Sequence, residues 1–274
     1  MNVKDIRIKY TGTNGSGTFS TVPGSTGDLS LDAERIDDTI LGENYSSEYP
    51  GLIEWTLSTT AYYKGHAGYE AQIKKEGAEM SAQSLELTME AEEIDVSDLP
   101  TVQANKGFRV KEPGLRTVEV TVSGFYKNMG LIWDLQKRDI VVITIKPSYT
   151  ESDAASGYFY MVSDGLSGDV GPPENEELTF SLATQESIDS SSSVPSQAFN
   201  WETSNLPEAI TDSIHSFLNH ESLGVGYLPQ GTDNDSSGGG AVHGRAFVSS
   251  LGLSAGTDGN VEFSIDLVGA REVS

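Results

Sequence analysis

The chain has 274 residues, enough for one large or two ordinary domains, and its lack of cysteine excludes disulfides and cysteine-based metal or redox chemistry. Its 41 acidic residues outnumber 17 basic ones and give a net charge of −24, so we do not expect it to hold nucleic acid by neutralising phosphates. The 29 glycines suit an all-β protein with many turns.

The hydropathy pattern predicts no membrane insertion. No apolar run approaches the roughly 20 residues that a membrane-spanning helix needs. The first residues, Met1 to Arg7, lack the apolar core of a signal peptide. We therefore expect the protein to be made and assembled in a cytoplasm.

Two stretches of alternating residues predict a first pair of related strands. In residues 28–37, Leu29, Leu31 and Ala33 point to one side and acidic or hydroxyl side chains to the other, which is the period of a half-buried strand. Residues 86–95 repeat this pattern 58 positions later, and both stretches end in Ile-Asp.

A second amphipathic strand follows each of these stretches after a loop. The motif Pro-Gly-Leu at 50–52, which we interpret as a turn signal, introduces one strand, and the same motif at 113–115 introduces the other, 63 positions later. Both strands end in two aromatic residues and a lysine, at 62–64 and 125–127. The larger step adds five residues to the second intervening loop. Length changes belong in loops, so the pattern predicts a duplicated unit.

The remaining elements follow from the same rules of periodicity and turn chemistry. Apolar residues at helical spacing predict helices at 129–138 and 206–218, and Pro207 lies near the first turn of the second helix. Period-two patterns bounded by turn residues predict strands at 3–10, 139–146 and 225–228, a hairpin of 157–167 with 177–182, and a closing hairpin of 244–254 with 260–267.

The closing hairpin resembles the earlier one, so a whole unit recurs. The first strands of the two hairpins match at a step of 87 and the second strands at a step of 85, which implies a shorter closing turn. The order of the copies predicts one module inserted into another. The inserted module is 81–185, the outer and discontinuous module is 1–80 with 198–274, and the Ser-rich segment 186–197 is a linker. A tandem array with exchanged halves is the alternative.

No arrangement of residues predicts catalysis, a metal site or a cofactor. The four His, at 66, 215, 220 and 243, lack the spacing that places two metal ligands on one helical face. The Gly-rich stretch 12–17 lacks the Lys-Ser/Thr ending of a phosphate loop, and Asp233-Asn-Asp235 lacks the later ligands of a calcium loop. Neighbouring acids lie in polar strings rather than in apolar pockets, so we expect no enzyme.

The polar faces of the four paired strands carry the functional signal. Acids alternate there with hydroxyl residues, and the only bases expected within reach are Arg35 and Arg116, at strand ends. Exposed sheet faces usually mix Lys with Glu to gain cross-strand pairs, whereas acid beside acid costs stability, which suggests a use for the negative field. The acids singled out on this face are Asp28, Asp32, Glu34, Glu54, Glu86, Glu90, Glu92 and Glu119.

The order of motifs resembles the major tail-tube proteins of long-tailed bacteriophages. The motifs are Ile36-Asp37 with Pro50-Gly51-Leu52, Ile94-Asp95 with Pro113-Gly114-Leu115, and the two Gly-x-x-x-x-x-Ser-x-Gly-Leu-Ser hairpins in 157–182 and 244–267. The resemblance covers nearly the whole chain. It implies a mainly β fold of two tail-tube β-sandwich or barrel modules, each with a flanking α-helix, in which four strands per module form the wall of an inner barrel.

The resemblance also implies an assembly and a function. Most members of the family have one module and form hexameric rings, so two modules per chain imply a trimeric ring with pseudo-sixfold symmetry, stacked into a tube. The implied function is that of a structural subunit of the virion tail, whose acidic lumen, lined by the eight acids above, lets DNA pass during ejection without specific binding.

The implied partners are other copies of the chain, a tape-measure protein and tail-end proteins. The loops between paired strands would order on assembly and make ring-stacking contacts. The residues assigned to these contacts are Glu43, Tyr45, Tyr49, Leu99, Val102 and Phe108.

Two alternatives remain open. The tube protein of a contractile secretion apparatus shares the implied fold and would differ in its genomic neighbourhood. A β-sandwich carbohydrate-binding or adhesion module predicts aromatic residues clustered on an exposed face, whereas Trp55, Trp133 and Trp201 look buried by pattern.

Overall fold

The computed structural model describes residues 5–10, 19–23, 26–37, 48–63, 71–80, 82–125, 140–148, 153–167, 175–183, 199–228, 242–256 and 261–273. Within these ranges the chain forms fifteen β-strands and two α-helices, so the prediction of a mainly β fold is confirmed. The predicted helix at 129–138, the linker at 186–197 and the stretches 12–17, 38–47 and 231–240 lie outside the described residues.

The strands in chain order are β1 (Asp5–Tyr10), β2 (Ser20–Thr21), β3 (Thr26–Asp37), β4 (Glu48–Tyr63), β5 (Gln72–Lys75), β6 (Ala78–Glu79), β7 (Ala82–Asp95), β8 (Lys111–Phe125), β9 (Ile140–Lys146), β10 (Ala154–Ser167), β11 (Asn175–Leu182), β12 (Phe199–Glu202), β13 (Leu223–Leu228), β14 (Val242–Ala255) and β15 (Val261–Val273). The helices are α1 (Leu99–Ala104) and α2 (Glu208–Asn219). The sequence did not predict β2, β5, β6, β12 or α1. None of the helices in the described ranges is long and apolar enough to cross a membrane.

The Pro-Gly-Leu motifs lie inside β4 and β8, which corrects their interpretation as turns. Pro50 is opposite Arg35, and Pro113 is opposite Glu93. In each pair a β-bulge directly precedes the residue opposite proline. A bulge interrupts the regular ladder, so it tolerates the missing N–H of proline within a strand.

The glycine of each motif makes room for the isoleucine of the preceding Ile-Asp. A Cβ on Gly51 would lie 3.1 Å from Ile36 Cδ1, and a Cβ on Gly114 would lie 2.9 Å from Ile94 Cδ1. Real Cβ atoms essentially never approach other heavy atoms within 3.0 Å. The two motifs therefore recur together because they pack against each other across the same strand pair.

The strand pairs β3–β4 and β7–β8 share one register. Leu29 lies opposite Leu57, and Leu87 lies opposite Val120, which are the positions that the steps of 58 and 63 equate. The β-bulge in each pair falls directly after the alanine that the two stretches have in common.

The hairpins β10–β11 and β14–β15 share one register as well. Ser163 pairs with Thr179 as Ser250 pairs with Asp266, and both hairpins have a bulge directly before the serine. Corresponding residues of the two hairpins are therefore 87 positions apart in both strands, and the predicted distance of 85 positions for the second strand is wrong. The two turns contain equal numbers of residues, and the sequence match at 85 was a coincidence of similar residue types.

Eight long strands form one continuous antiparallel sheet in the order β3-β4-β15-β14-β7-β8-β11-β10. The ladder between β14 and β7, from Ser250 opposite Glu90 to Ala255 opposite Leu85, joins the set β3-β4-β15-β14 to the set β7-β8-β11-β10. We call this ladder the internal joint. Within the described ranges, β3 pairs with β4 alone, and the end of β10 from Ser163 to Ser167 pairs with β11 alone, so both outer edges of the sheet are unpaired there.

A second layer continues from the first part of β14 and of β10. The strands β13, β1 and β2 follow β14, and the strands β9, β5 and β6 follow β10 in the corresponding order. Ile6 of β1 lies directly over Gly27 of β3, where a Cβ would collide with its side chain. Strand β5 pairs with β9, and β6 pairs with β5, so both short strands lie beside β9. The module bounds 1–80 with 198–274 and 81–185 stay a prediction.

Helix α2 packs its apolar face against β1, β13 and β14. Ala209, Ile210, Ile214 and Phe217 are buried and recur at the spacing of one helical face. The helix ends at His220, whose left-handed backbone (φ 55°) closes the last turn. The strongly periodic apolar residues explain why the sequence predicted this helix with nearly correct ends.

Candidate functional site

The side of the eight-stranded sheet that faces away from the core is polar from one edge to the other. Directly opposed residues of antiparallel strands point to the same side, so cross-strand pairs connect into rows. We call the residues of these four rows the polar face: Asp28-Ser58-Asp266-Ser250-Glu90-Thr117, Thr26-Thr60-Ser264-Gly252-Thr88-Glu119-Ser181, Tyr62-Glu262-Ser254-Glu86-Thr121-Thr179-Ser163, and Ser84-Ser123-Glu177-Gly165.

The residues between these rows point into the core. Trp55, Leu57, Leu87, Val120 and Leu253 are all at most 4% exposed. The alternation is therefore the one that the sequence predicts, with an apolar side that packs and a polar side that stays open.

The polar face has one sign of charge. Its acids are Asp28, Glu86, Glu90, Glu119, Glu177, Glu262 and Asp266, and none of the residues in its four rows is Lys, Arg or His. Four of the acids singled out from the sequence thus lie in these rows. The sequence missed Glu177, Glu262 and Asp266, although they alternate with apolar residues in the hairpin strands and that alternation could have found them.

The other four acids singled out lie toward one end of the strands. Asp32 and Glu54 are opposite each other in a shorter row, beyond the part of β4 that pairs with β15. Glu34 and Glu92 occupy the bulge positions of β3 and β7. Of these four acids, Glu34 and Glu54 contact basic residues.

Arg109, from the loop between β7 and β8, joins acids of three strands. Its guanidinium lies 3.0 Å from Glu34, 3.9 Å from Glu54 and 2.7 Å from Asp95. Hydrogen bonds from the side chain and backbone of Ser97 lower the pKa of Asp95, and Arg109 lowers it further. These charges are partly exposed, so each pair contributes little to stability by itself, and their effect is to offset part of the acidic charge at this end of the sheet.

Lys111 adds a second base at the same end. Its Nζ lies 3.1 Å from Glu54 and 2.9 Å from Glu93. Burial tends to lower the pKa of Lys111, but the hydrogen bonds to both carboxylates outweigh burial and raise it. The prediction that only Arg35 and Arg116 reach these strands is therefore wrong, because Arg109 comes from a loop whose path the sequence does not specify and Lys111 is the first residue of β8.

The same loop packs across β4 of the other strand set. The N–H of Ile53 donates to Gly107 O at 2.9 Å, and the N–H of Arg109 donates to Ile53 O at 2.8 Å. Between them Phe108 is only 9% exposed. Its own chain thus covers most of Phe108, and its assigned role in ring stacking stays a prediction.

The remaining residues assigned to ring stacking have varied positions. Leu99, at the start of α1, is 87% exposed, and Val102 is half-buried. Glu43 and Tyr45 lie outside the described residues, and Tyr49 belongs to β4. Their role in stacking stays a prediction.

Arg116 points to the apolar side of β8 and holds the end of α2. Its Nη1 donates to the carbonyl oxygens of Phe217 at 2.7 Å and Leu218 at 2.5 Å, and its guanidinium lies 5.8 Å from the centre of the Phe217 ring. A cation at a helix C-terminus is favourable because the last carbonyls have no partner within the helix. Arg116 thus ties α2 to the strand set on the other side of the internal joint.

The histidines that the structure describes do not converge on a site. His215 and His220 lie on and at the end of α2, and His243 stacks near Phe19 at a ring-centre distance of 5.9 Å. His66 lies outside the described residues. In the part of the chain that is described, no group of three or more His, Asp or Glu side chains could hold a metal ion.

The chain matches no protein-family model and no curated protein. Among solved structures, it is similar to a chain of the virion of a native gene transfer agent particle, with 12% identity and a TM-score of 0.35 over 51% of this chain and 99% of that chain. It is also similar to a chain of the tail of an empty gene transfer agent particle with C6 symmetry, with 13% identity and a TM-score of 0.24 over 72% of this chain and 94% of that chain.

A third similar structure is the SPP1 tail tube, solved by solid-state NMR and cryo-electron microscopy. The identity is 16% and the TM-score 0.27, over 67% of this chain and 83% of that chain.

Proposed function

We propose that the chain is a structural subunit of a phage tail tube, whose copies join edge to edge into stacked rings with the polar face toward a DNA-conducting lumen. The single observation that carries the proposal is the internal joint. In this ladder one strand set of the chain pairs with another, whereas the corresponding edges at the two ends of the sheet have no partner strand among the described residues.

The internal joint provides a template for contacts between chains. Strand β7 of the joint corresponds to β3, which lies 58 residues earlier in the sequence, and β14 corresponds to β10, which lies 87 residues earlier. The same register between two chains places Asp28 opposite Ser167, Ser30 opposite Gly165 and Asp32 opposite Ser163. Closing the sheet in this way removes both exposed edges and continues the polar face around the ring. We propose that three chains, contributing six strand sets, complete one ring.

The burial of corresponding residues supports this contact. Met89 of β7 is 0% exposed beside β14, whereas Leu31, at the corresponding position of β3, is 50% exposed. Ala91 is 8% exposed, and its counterpart Ala33 is exposed. An apolar strip along a free strand edge is the surface that strand pairing with another chain would cover.

The charge of the polar face supports a conduit for a polyanion. Seven acids and no base in four rows give a surface that repels phosphate, and the Debye length of about 8 Å at physiological salt keeps that repulsion close to the wall. The bases that neutralise Glu34 and Glu54 lie at one end of the strands, away from these rows. DNA in such a lumen would slide without a binding site.

Electron microscopy of the purified protein tests the assembly. We expect rings or tubes of uniform bore with threefold symmetry and a near-sixfold repeat. Only monomers or irregular aggregates under every assembly condition would refute the proposal. Rings built from six chains would refute the trimeric form of it.

A charge reversal tests the lumen. The variant Glu86→Lys with Glu119→Lys changes two exposed acids in the interior of the polar face, and the matched control Glu79→Lys with Glu202→Lys makes the same change on exposed strands elsewhere. Glu54 is less suitable because its replacement would also break the contacts with Arg109 and Lys111.

We expect tubes of the first variant to retain short duplex DNA at low salt and release it as salt rises, because phosphate binding by lysine depends steeply on salt. Wild-type and control tubes should retain none. Equal retention by the control and the lumen variant would show that the polar face does not line the lumen.

A further inference from the structure

We propose that Asp164 and Glu176 make the β10 edge an acid-responsive contact for the β3 edge of a second copy of the chain. This inference rests on the edge-to-edge assembly proposed above and concerns its control. It starts from a difference between two hairpins that otherwise share their register.

Asp164 and Glu176 occupy core positions of their hairpin. At the step of 87 they correspond to Leu251 and Phe263, both 0% exposed. Two acids thus replace two large apolar side chains in the hairpin that ends at a free edge. The hairpin that takes part in the internal joint has the apolar pair.

The two carboxyl groups are withdrawn from water without compensation. Glu176 is 7% exposed. Both side-chain oxygens of Asp164 and Oε1 of Glu176 are buried and have no hydrogen-bond partner among the residues that the structure describes. A buried ionised carboxylate without a partner is strongly unfavourable, so such groups tend to take up a proton.

The register of the internal joint places the incoming strand directly on this pair. Leu251 is opposite Met89, so Asp164 would lie opposite Leu31 of the second copy. Contact would bury the acids further beneath an apolar side chain. Ionised acids therefore oppose the contact, and proton uptake removes that opposition.

The surroundings offer no competing charge in the described part of the chain. Burial raises the pKa of Asp164, and burial followed by the charge of Asp164 raises the pKa of Glu176. The positions that face the pair from β8, from β11 and from the incoming β3 are Val122, Gly124, Leu178, Leu29 and Leu31, none of which titrates. Assembly should accordingly be strong below the raised pKa values and weaken as the pH rises through them.

The first experiment compares assembly of the full chain at pH 5.5 and pH 8 at constant ionic strength, by sedimentation and electron microscopy. The protein concentration at which half of the wild type is assembled should be about tenfold higher at pH 8 than at pH 5.5. A tenfold change is what a shift of one pKa unit on assembly produces. The double variant Asp164→Leu with Glu176→Phe, which copies the other hairpin, should lose most of this dependence. The control Glu90→Gln with Glu119→Gln removes two charges from the polar face and should keep it.

A second variant tests the register and the acids together. Leu31→Lys brings a positive charge opposite Asp164 of the neighbouring copy, so we expect assembly at pH 8 to recover by about tenfold. The same lysine in the Asp164→Leu, Glu176→Phe background has no acid to meet and should weaken assembly instead. Circular dichroism of each variant checks folding. If the variant Asp164→Leu with Glu176→Phe does not fold, the variant Asp164→Asn with Glu176→Gln takes its place.

The outcomes separate this inference from the proposed function. Absence of rings or tubes of the wild type at every pH overturns the proposed function. Two outcomes would overturn the acid-responsive contact alone. In one, the wild type assembles with a pH dependence that the acid-pair variants leave unchanged. In the other, the polar-face control abolishes that dependence. Equal effects of Leu31→Lys in both backgrounds overturn the register.

Discussion

Replacement of Gly269 by alanine should destabilise the protein through its contact with Trp55. A Cβ at position 269 would lie 2.5 Å from Trp55 Cε2 and closer still to two other atoms of the indole ring. Trp55 is 3% exposed, and its Nε1 donates to the carbonyl oxygen of Arg271 at 2.8 Å. The ring can therefore not move aside without losing both packing and this hydrogen bond.

The magnitude follows from these two effects. Overpacking of a core costs about 1–3 kcal/mol. Leaving a buried donor without its acceptor costs about 1–3 kcal/mol more. We expect Gly269→Ala to lower the free energy of unfolding by about 2–6 kcal/mol, measured by urea denaturation at neutral pH followed by tryptophan fluorescence.

Gly165→Ala provides the matched control. Gly165 also lies in a hairpin strand, but a Cβ there would meet only Glu177 O, at 3.7 Å, which is an ordinary contact. We expect this change to stay within about 1 kcal/mol. In a Trp55→Phe background the smaller ring should relieve the collision, so Gly269→Ala should cost less there. An equal cost of the two alanines, or an unchanged cost beside Phe, would refute the reasoning.

Two further predictions concern charged contacts. Arg116→Met should lower stability by about 1–3 kcal/mol because it removes two hydrogen bonds to the last carbonyls of α2; denaturant unfolding checks this, and a variant as stable as wild type would show that these bonds are not needed. The pKa of Asp95 is lowered, so its stabilising contribution should be present above the ordinary carboxyl pKa and disappear as the pH falls through the lowered value. Asp95→Asn should thus reduce stability at pH 7 but not in strongly acidic solution, which urea unfolding at both pH values measures; a loss of equal size at both would contradict it.

Much of the fold follows from local sequence patterns. The alternation in β3, β4, β7 and β8 predicts both their strand conformation and their two faces, because a side-chain period of two leaves no other arrangement with one buried side. Helix α2 follows from apolar residues at helical spacing. The polar face was recognisable for the same reason, at least on the four strands where acids recur without bases.

Other features depend on contacts between distant residues. Pro50-Gly51 reads as a turn locally, yet the bulge opposite Pro50 and the packing of Ile36 on Gly51 place it within a strand. The step of the second hairpin strand could not be derived from residue types, since register depends on hydrogen bonds across the ladder. The strands β5 and β6 are too short for a period to be recognised, and only the pairing of β5 with β9 and of β6 with β5 assigns them to a strand set.

The sequence by itself determined the mainly β fold, the recurrence of strand pairs and hairpins, and the acidic side of the paired strands, because each is a local repeat of residue types. Only the tertiary structure decided that the internal joint connects the two strand sets, that the outer edges of β3 and of the end of β10 are unpaired within the described ranges, and that Arg109 and Lys111 offset acidic charge at one end of the sheet. It alone also revealed that, in the described part of the chain, both oxygens of the Asp164 carboxyl and Oε1 of Glu176 are buried without a hydrogen-bond partner. The physical reason is that strand order, loop paths and burial depend on which distant segments meet, and no local period carries that information.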